Sequence, residues 1–227
     1  VDFLTNGHNA YLESFFYTLM LFLVSGVLSL VLGTILVACR VGPVAVLRVA
    51  GGWYVTIVRS TPLVVVFALF QFAAPMLGIR FGWVQIHIGT VDFTSFFAVA
   101  VVALTLYTST FVCEALRSGI NSVPLGQAEA ARAIGLTFGG TMSQVILPQA
   151  FRASVPPLAS VLIALIKNTS VAYIFGVGEA VAQMRIMTNN YASERVPIFL
   201  TFAAGYIVIV FVVSFFANHL EKHWRTA

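Results

Sequence analysis

Charge is scarce in this chain. Asp, Glu, Lys and Arg together make up 9% of its 227 residues, too few to cover the surface of a soluble domain of that length. With 59% hydrophobic residues and a mean hydropathy of +0.97, the shortage of charge places the chain in a membrane. Cysteine is nearly absent: Cys39 and Cys113 sit at the ends of apolar runs without metal-ligand spacing, which excludes a disulfide framework and a zinc site. There is no GxxxxGKS/T phosphate loop and no HExxH. Gly135, Gly139 and Gly140 lack the lysine and the preceding strand that a nucleotide site needs. The 12 basic residues exceed the 8 acidic ones but form no stripe, which argues against nucleic acid as a partner. Asn189 and Asn190 lack the Ser or Thr of a glycosylation acceptor. Strict alternation is missing as well, so a membrane β-barrel is excluded and helices follow.

What the chain does have is apolar runs that recur to its C-terminal end, so the first is read as a retained helix and not as a cleaved signal. The expected fold class is all-α: a polytopic integral membrane protein with spans at about 11–38, 49–76, 93–115, 155–178 and 196–218 in a single domain over 1–227. Residues 125–148 form the one long interval between spans that reads as an ordered surface.

Four breaks punctuate this pattern. Pro62 follows Arg59-Ser60-Thr61, removes a backbone donor and disfavours helix at Thr61. Pro148 closes the 125–148 interval, and Pro156-Pro157 open the fourth span. In the first span, Ser25, Gly26, Ser29 and Gly33 set small residues near one face for close packing. The loop 77–91 reads as interfacial or partly re-entrant, with Trp83 as an anchor and His87 alone, without a second metal ligand. Residues 179–195 read as a polar loop.

Several polar residues stand inside the apolar runs. Thr105, Tyr107, Thr108, Ser109 and Thr110 crowd the second half of the third span, more hydroxyls than a lipid-facing helix needs. Glu114 and Arg117 are spaced to pair on one face. Lys167 lies about 12 residues beyond Val155, roughly 18 Å along a helix and near the middle of a bilayer about 30 Å thick. An intramembrane lysine marks a functional path by default, the alternative being a structural lysine tied to the carbonyls of a broken helix. Arg59 admits the same two readings, a snorkelling structural arginine or a part of the path.

Arg40, Arg48, Arg117, Arg132, Arg152, Lys222 and Arg225 follow spans one, three and five, against Arg80, Arg185 and Arg195 on the other side. The positive-inside bias then puts the N-terminus outside and 125–148 with the C-terminus in the cytoplasm.

Glu129-Ala130-Ala131, then Gly135, then Val145, Leu147 and Pro148 resembles the cytoplasmic "EAA" signature of the permease subunits of ATP-binding-cassette (ABC) importers, with Val145 where the family pattern has isoleucine. Arg59-Ser60-Thr61-Pro62-Leu63 and Lys167-Asn168-Thr169-Ser170 resemble two further blocks of the polar amino-acid branch. Leu106 to Phe111, Leu116 to Asn121 and Gly126 to Glu129 look most like actinobacterial glutamate permeases. The resemblance covers about residues 10–218 and implies a type I importer in a bacterial plasma membrane. Its partners would be a homodimer of ATPase subunits that bind ATP and Mg²⁺, a second permease subunit, identical or homologous, and an extracytoplasmic amino-acid-binding protein. This chain would hold no cofactor or metal and would catalyse nothing. The resemblance further implies that a short helix near 125–135 couples to the ATPase through Gln127, Glu129, Ala130, Ala131, Arg132 and Gly135. Arg59, Thr108, Lys167, Asn168, Thr169 and Ser170 become candidates for the translocation path or its gate. Asn168 stands where some of this branch carry an acid, leaving Lys167 locally uncompensated and favouring an acidic or neutral substrate: glutamate first, then glutamine or aspartate.

Two other classes compete. Pro62 and the interruption at Lys167 also fit the broken helices of an ion-driven secondary transporter, and a non-transporting assembly subunit would tolerate replacement of Glu129 or Gly135. The first predicts uptake that survives ATP depletion; the second predicts uptake indifferent to those replacements.

Overall fold

The computed structural model describes residues 2–82, 84–88 and 91–225. Continuous apolar runs fold as helices because the hydrocarbon interior offers no partner for a free backbone N–H or C=O. Eight helices and one hairpin result among the described residues. They are α1 (Asp2–Val41), α2 (Ala45–Ser60), α3 (Leu63–Met76), β1 (Ile86–Ile88), β2 (Val91–Phe93), α4 (Ser95–Asn121), α5 (Leu125–Ala133), α6 (Phe138–Phe175), α7 (Ala180–Asn190) and α8 (Arg195–Arg225). Among the described residues, four helices are long and apolar enough to cross a membrane, and α2 with α3 form a bent pair that makes a fifth crossing if counted as one.

The expected second span is therefore not one rod. Thr61 and Pro62 separate α2 from α3, and the axes differ by 105°. Both residues are extended, with ψ of 129° and 139°; for Thr61 this is what the clash with the following proline ring requires.

The other expected proline breaks do not occur. Pro148 lies in the first turn after a π-turn, Pro156 and Pro157 lie inside a helix, and α6 continues past all three to Asn168 before it tightens to 3₁₀ geometry over Thr169–Phe175, at the interruption expected near Lys167. The fourth span thus begins at Phe138, and the second half of the 125–148 interval belongs to it. A local widening explains Pro148. Residues Met142–Ile146 form a π-turn whose closing bond runs from the Leu147 N–H to the Met142 carbonyl, one residue before the proline. The same device, Leu69–Ala73 closed by the Ala74 N–H on the Leu69 carbonyl, precedes Pro75 in α3. An i→i+5 turn absorbs the missing donor and moves the i−4 carbonyl away from the ring.

The expected polar loop at 179–195 is largely α7. The loop expected at 77–91 holds β1, which pairs antiparallel with β2 in the register His87 to Asp92. His87 is accordingly not alone: its Nδ1 contacts the Asp92 carboxylate. The anchoring expected of Trp83 lies outside the described residues.

The core forms where α1, α3, α4 and α6 meet, around Leu21, Phe67, Leu104, Leu165 and Ala172. A second cluster, Phe15, Ala180, Met187, Ile198 and Phe202, joins α1, α7 and α8. Small residues set the crossings, as expected for α1, where Ser25 and Ser29 are fully buried. A Cβ on Gly33 would come within 2.4 Å of Val112 Cγ1, and one on Gly119 within 2.4 Å of the Ala150 carbonyl of α6. In a membrane, backbone approach of this kind replaces the hydrophobic effect as the source of helix association.

Candidate functional site

The stretch after α4 builds the first candidate site. Pro124 starts α5 with the fixed φ of a helix N-terminus, and Gly135 ends it with φ 91°. The Leu136 N–H bonds the Ala131 carbonyl at 3.1 Å and the Gly135 N–H bonds the Arg132 carbonyl at 2.9 Å, a Schellman cap that only a left-handed residue closes without strain. Gln127, Glu129, Ala130 and Arg132 are exposed, and Ala131 alone on this helix is buried. Leu125 and Ile134, apolar and large, are 73% and 80% exposed at its two ends. The structure gives Glu129 and Arg132 no ion pair with each other, so the carboxylate is not occupied along its own helix. Gln127 behaves differently from the others. Its Oε1 accepts from Gln149 Nε2, which also donates to the Val145 carbonyl at 2.8 Å. A side-chain bridge thus ties α5 to the start of α6, beside the π-turn.

At the other end of α6, the candidate path residues separate into two clefts. Thr108 and Asn168 line a cavity of about 390 Å³ with Tyr107, Phe111, Ser160, Val161 and Ala164. Thr108 is buried and its hydroxyl has no hydrogen-bond partner among the described residues. Arg59 stands over the Phe111 ring, 5.3 Å from its centroid, and so borders this cavity through one aromatic layer. Lys167 and Ser170 instead line a cavity of about 510 Å³ between α6 and α8, with Val181, Tyr206, Ile207, Val210, Phe211 and Ser214. Lys167 Nζ has neither an ion pair nor a hydrogen bond among the described residues. Ser170 is engaged locally, donating to the Lys167 carbonyl at 2.6 Å. Thr169 belongs to neither cleft: it is fully buried and donates to the Ile166 carbonyl at 2.6 Å. The switch from α to 3₁₀ geometry at Thr169 ends the regular helix at the point where the two clefts diverge.

Two clusters escaped the sequence. Glu114 does pair with Arg117 at 3.9 Å, but it also contacts Arg40 and lies 3.9 Å from Arg59, so one carboxylate serves three arginines from three helices. Arg59 thereby has a carboxylate of its own chain within reach. Glu179 is fully buried. Its Oε2 accepts from the Val181 N–H at 2.9 Å and from the Tyr206 hydroxyl at 3.0 Å, while Oε1 accepts from the Ala182 N–H at 3.0 Å. Thr18 of α1 accepts from the Ala180 N–H at 3.1 Å. Loss of water pushes the Glu179 carboxyl up to about 7, against the pull of its two backbone donors and Tyr206. An acid directly after Gly176-Val177-Gly178 is an N-cap signal that sequence reading could have used.

Residues 29–226 match the family described as binding-protein-dependent transport system inner membrane component. The chain is 43% identical over 199 residues to the glutamate transport system permease protein GluC of Corynebacterium glutamicum, covering 87% of this chain and 86% of that one. It is 32% identical over 222 residues to a probable glutamine ABC transporter permease of Bacillus subtilis, covering 98% and 96%. With an arginine transport system permease of C. glutamicum it shares 33% identity over 212 residues, covering 92% and 66%. Among solved structures, an amino acid ABC transporter crystallised with histidines matches with a TM-score of 0.83 at 24% identity over 98% of this chain and 99% of that one. A chain of the methionine transporter MetNI, in an inward-facing conformation, matches with a TM-score of 0.72 at 21% identity over 95% and 96%.

Proposed function

Because the chain belongs to the binding-protein-dependent transport system inner membrane components, the permease subunits of ABC importers, we propose that it carries glutamate across a bacterial plasma membrane, driven through α5 by a separate ATPase. That an amino-acid permease is at hand follows from the family and its relatives; glutamate is supported by the 43% identical relative and by Lys167, a cation without an anionic partner among the described residues. Glutamine is the second reading, supported by the relatives named for it; aspartate shares the charge argument alone.

The observation that carries the coupling is α5 itself. It is a short, rigidly capped helix, exposed on nearly every face, with apolar residues at both ends and, between them, a carboxylate that is unpaired among the described residues. A surface of this composition is suited to a cleft on a partner, where Glu129 supplies the polar contact and the small Ala130 and Ala131 allow close approach. ATP and Mg²⁺ belong to that partner, a homodimer of ATPase subunits facing the cytoplasmic side, where this reading also places the C-terminus, with the N-terminus outside. When the ATPase pair closes, α5 moves as a body and the Gln127–Gln149 bridge passes the displacement to α6. Because α6 is unbroken across three prolines, its far end at Asn168 and Lys167 moves with it. A second permease subunit completes the path, and a binding protein delivers the amino acid from outside.

In the cavity of Thr108 and Asn168, a free hydroxyl and an amide offer neutral hydrogen bonds, with the Arg59 charge one ring away. No carboxylate lines it, which suits an anionic or neutral side chain better than a cationic one. The test is uptake by the permease reconstituted with its ATPase and binding protein, challenged with a panel of labelled amino acids. Glutamate transport that stops on ATP depletion is the expected result; preferred uptake of arginine, or uptake that persists on an ion gradient alone, contradicts it.

A further inference from the structure

The helix α2 does not behave like half of a span. Its sixteen residues carry Arg48 and Arg59 and no acidic residue, whereas α3 carries no charge at all. Its inward residues are few: Gly51 packs on the Arg40 stem, Val55 is 2% exposed, and the Tyr54 hydroxyl reaches the Leu106 carbonyl at 3.0 Å. The opposite face is an apolar stripe at helical spacing, Val46, Val49, Trp53 and Ile57, each between 57% and 76% exposed.

Geometry limits where that stripe lies. At 105° apart, α2 and α3 cannot both follow the bilayer normal. The uncharged α3, stacked into the core through Phe67 on Phe175 at 5.1 Å, takes the hydrocarbon; two arginines make α2 the costlier segment to immerse. With α3 upright, α2 is tilted only about 15° out of the membrane plane, and its length of about 24 Å changes depth by about 6 Å. The charge around it is one-sided. Arg40, Arg59 and Arg117 share the single carboxylate of Glu114, while among the described residues Arg48 reaches only the Gly42 carbonyl, at 3.5 Å.

We propose that α2 is an interfacial helix that seats its Val46, Val49, Trp53, Ile57 stripe at the headgroup–acyl boundary of an anionic leaflet, with Arg48 and the surplus charge around Glu114 facing lipid phosphates. An apolar stripe with an exposed tryptophan, flanked by arginines and free of acids, is the composition of a helix lying in a membrane surface. The polypeptide then crosses the bilayer with α1, α3, α4, α6 and α8, and α3 enters from this surface. Through Glu114, the lipid surface is in contact with α4, the helix that leads directly into α5.

Depth measurement tests this on the full chain in vesicles. Nitroxide labels are placed singly through Val46→Cys, Val49→Cys, Trp53→Cys and Ile57→Cys in a Cys39→Ser background, Cys113 being fully buried. Collision with oxygen and with a nickel chelate reports the depth of each. The four depths are expected within about 6 Å of one another, near the headgroups; a steady change of about 16 Å from the first to the last, the rise of a spanning helix, overturns the proposal. Labels reached by neither quencher would mean that protein covers the stripe, and would overturn it equally. As a second measurement, Trp53 fluorescence in a Trp83→Phe, Trp224→Phe background is expected to be quenched more by shallow than by deep brominated lipids. For the charge, labels should be more immobile in vesicles containing phosphatidylglycerol than in pure phosphatidylcholine, and Arg48→Gln should reduce that difference. Equal mobility in both lipids removes the anionic leaflet from the account.

Discussion

Gly135 holds a φ of 91° where α5 ends, and a side chain with a Cβ costs about 1–2 kcal/mol in that region. Gly135→Val is expected to loosen the cap and lower coupled uptake without affecting membrane insertion; a variant with normal uptake and normal complex assembly counts against the hinge. Glu179 gives a prediction of opposite kind. Its pKa is raised from the ordinary 4.5 to about 7, so the folded state prefers the protonated acid. The stabilisation is complete below about 4.5 and is lost as pH rises through 7, a change of up to about 3 kcal/mol. Thermal unfolding of the purified protein should show a Tm that falls over this window in the wild type and stays level in Glu179→Gln. A parallel fall in both would show that another group titrates. Lys167→Met should alter transport more than it lowers the yield of folded protein, and unchanged uptake kinetics would remove Lys167 from the path.

At the scale of elements, the packing of α4 on α6 rests on Gly119, where an added Cβ would meet the Ala150 carbonyl at 2.4 Å and Ser154 Oγ at 2.0 Å. Gly119→Val is expected to cost about 1–3 kcal/mol, seen as a lower melting temperature in detergent, whereas Gly126→Ala, with open space around it, should be near neutral. Equal effects would mean that this crossing is not close. The same elements show what the sequence could and could not disclose. Apolar runs located α1, α4 and α8 because lipid demands continuous helix, and Pro62 marked a true break because Thr61 had no alternative to extension. Pro148 looked the same from its neighbours, yet a π-turn absorbed it; whether a helix widens before a proline depends on packing that local sequence does not carry. The left-handed turn at Gly135 was legible from its motif. The parting of Lys167 from Asn168 was not, because consecutive helical residues point about 100° apart and only the placement of α4 and α8 decides which cleft each one enters. Glu179 was missed as one acid in a stretch read as loop.

On the proposed function, the molecule as a whole would act as a mechanical path: an exposed helix α5, a side-chain bridge at Gln127, and one long helix that ends between two clefts. Its central claim is that force applied at α5 by a separate ATPase moves the amino acid. The direct measurement is ATP-driven uptake of labelled glutamate by the reconstituted complex, wild type against Glu129→Ala, with ATP hydrolysis followed in parallel. The account predicts that Glu129→Ala lowers uptake about tenfold or more, the equivalent of about 1.4 kcal/mol of lost docking, while the permease remains folded and inserted. Uptake by Glu129→Ala at the wild-type rate, with the same ratio of glutamate carried to ATP hydrolysed, would contradict it.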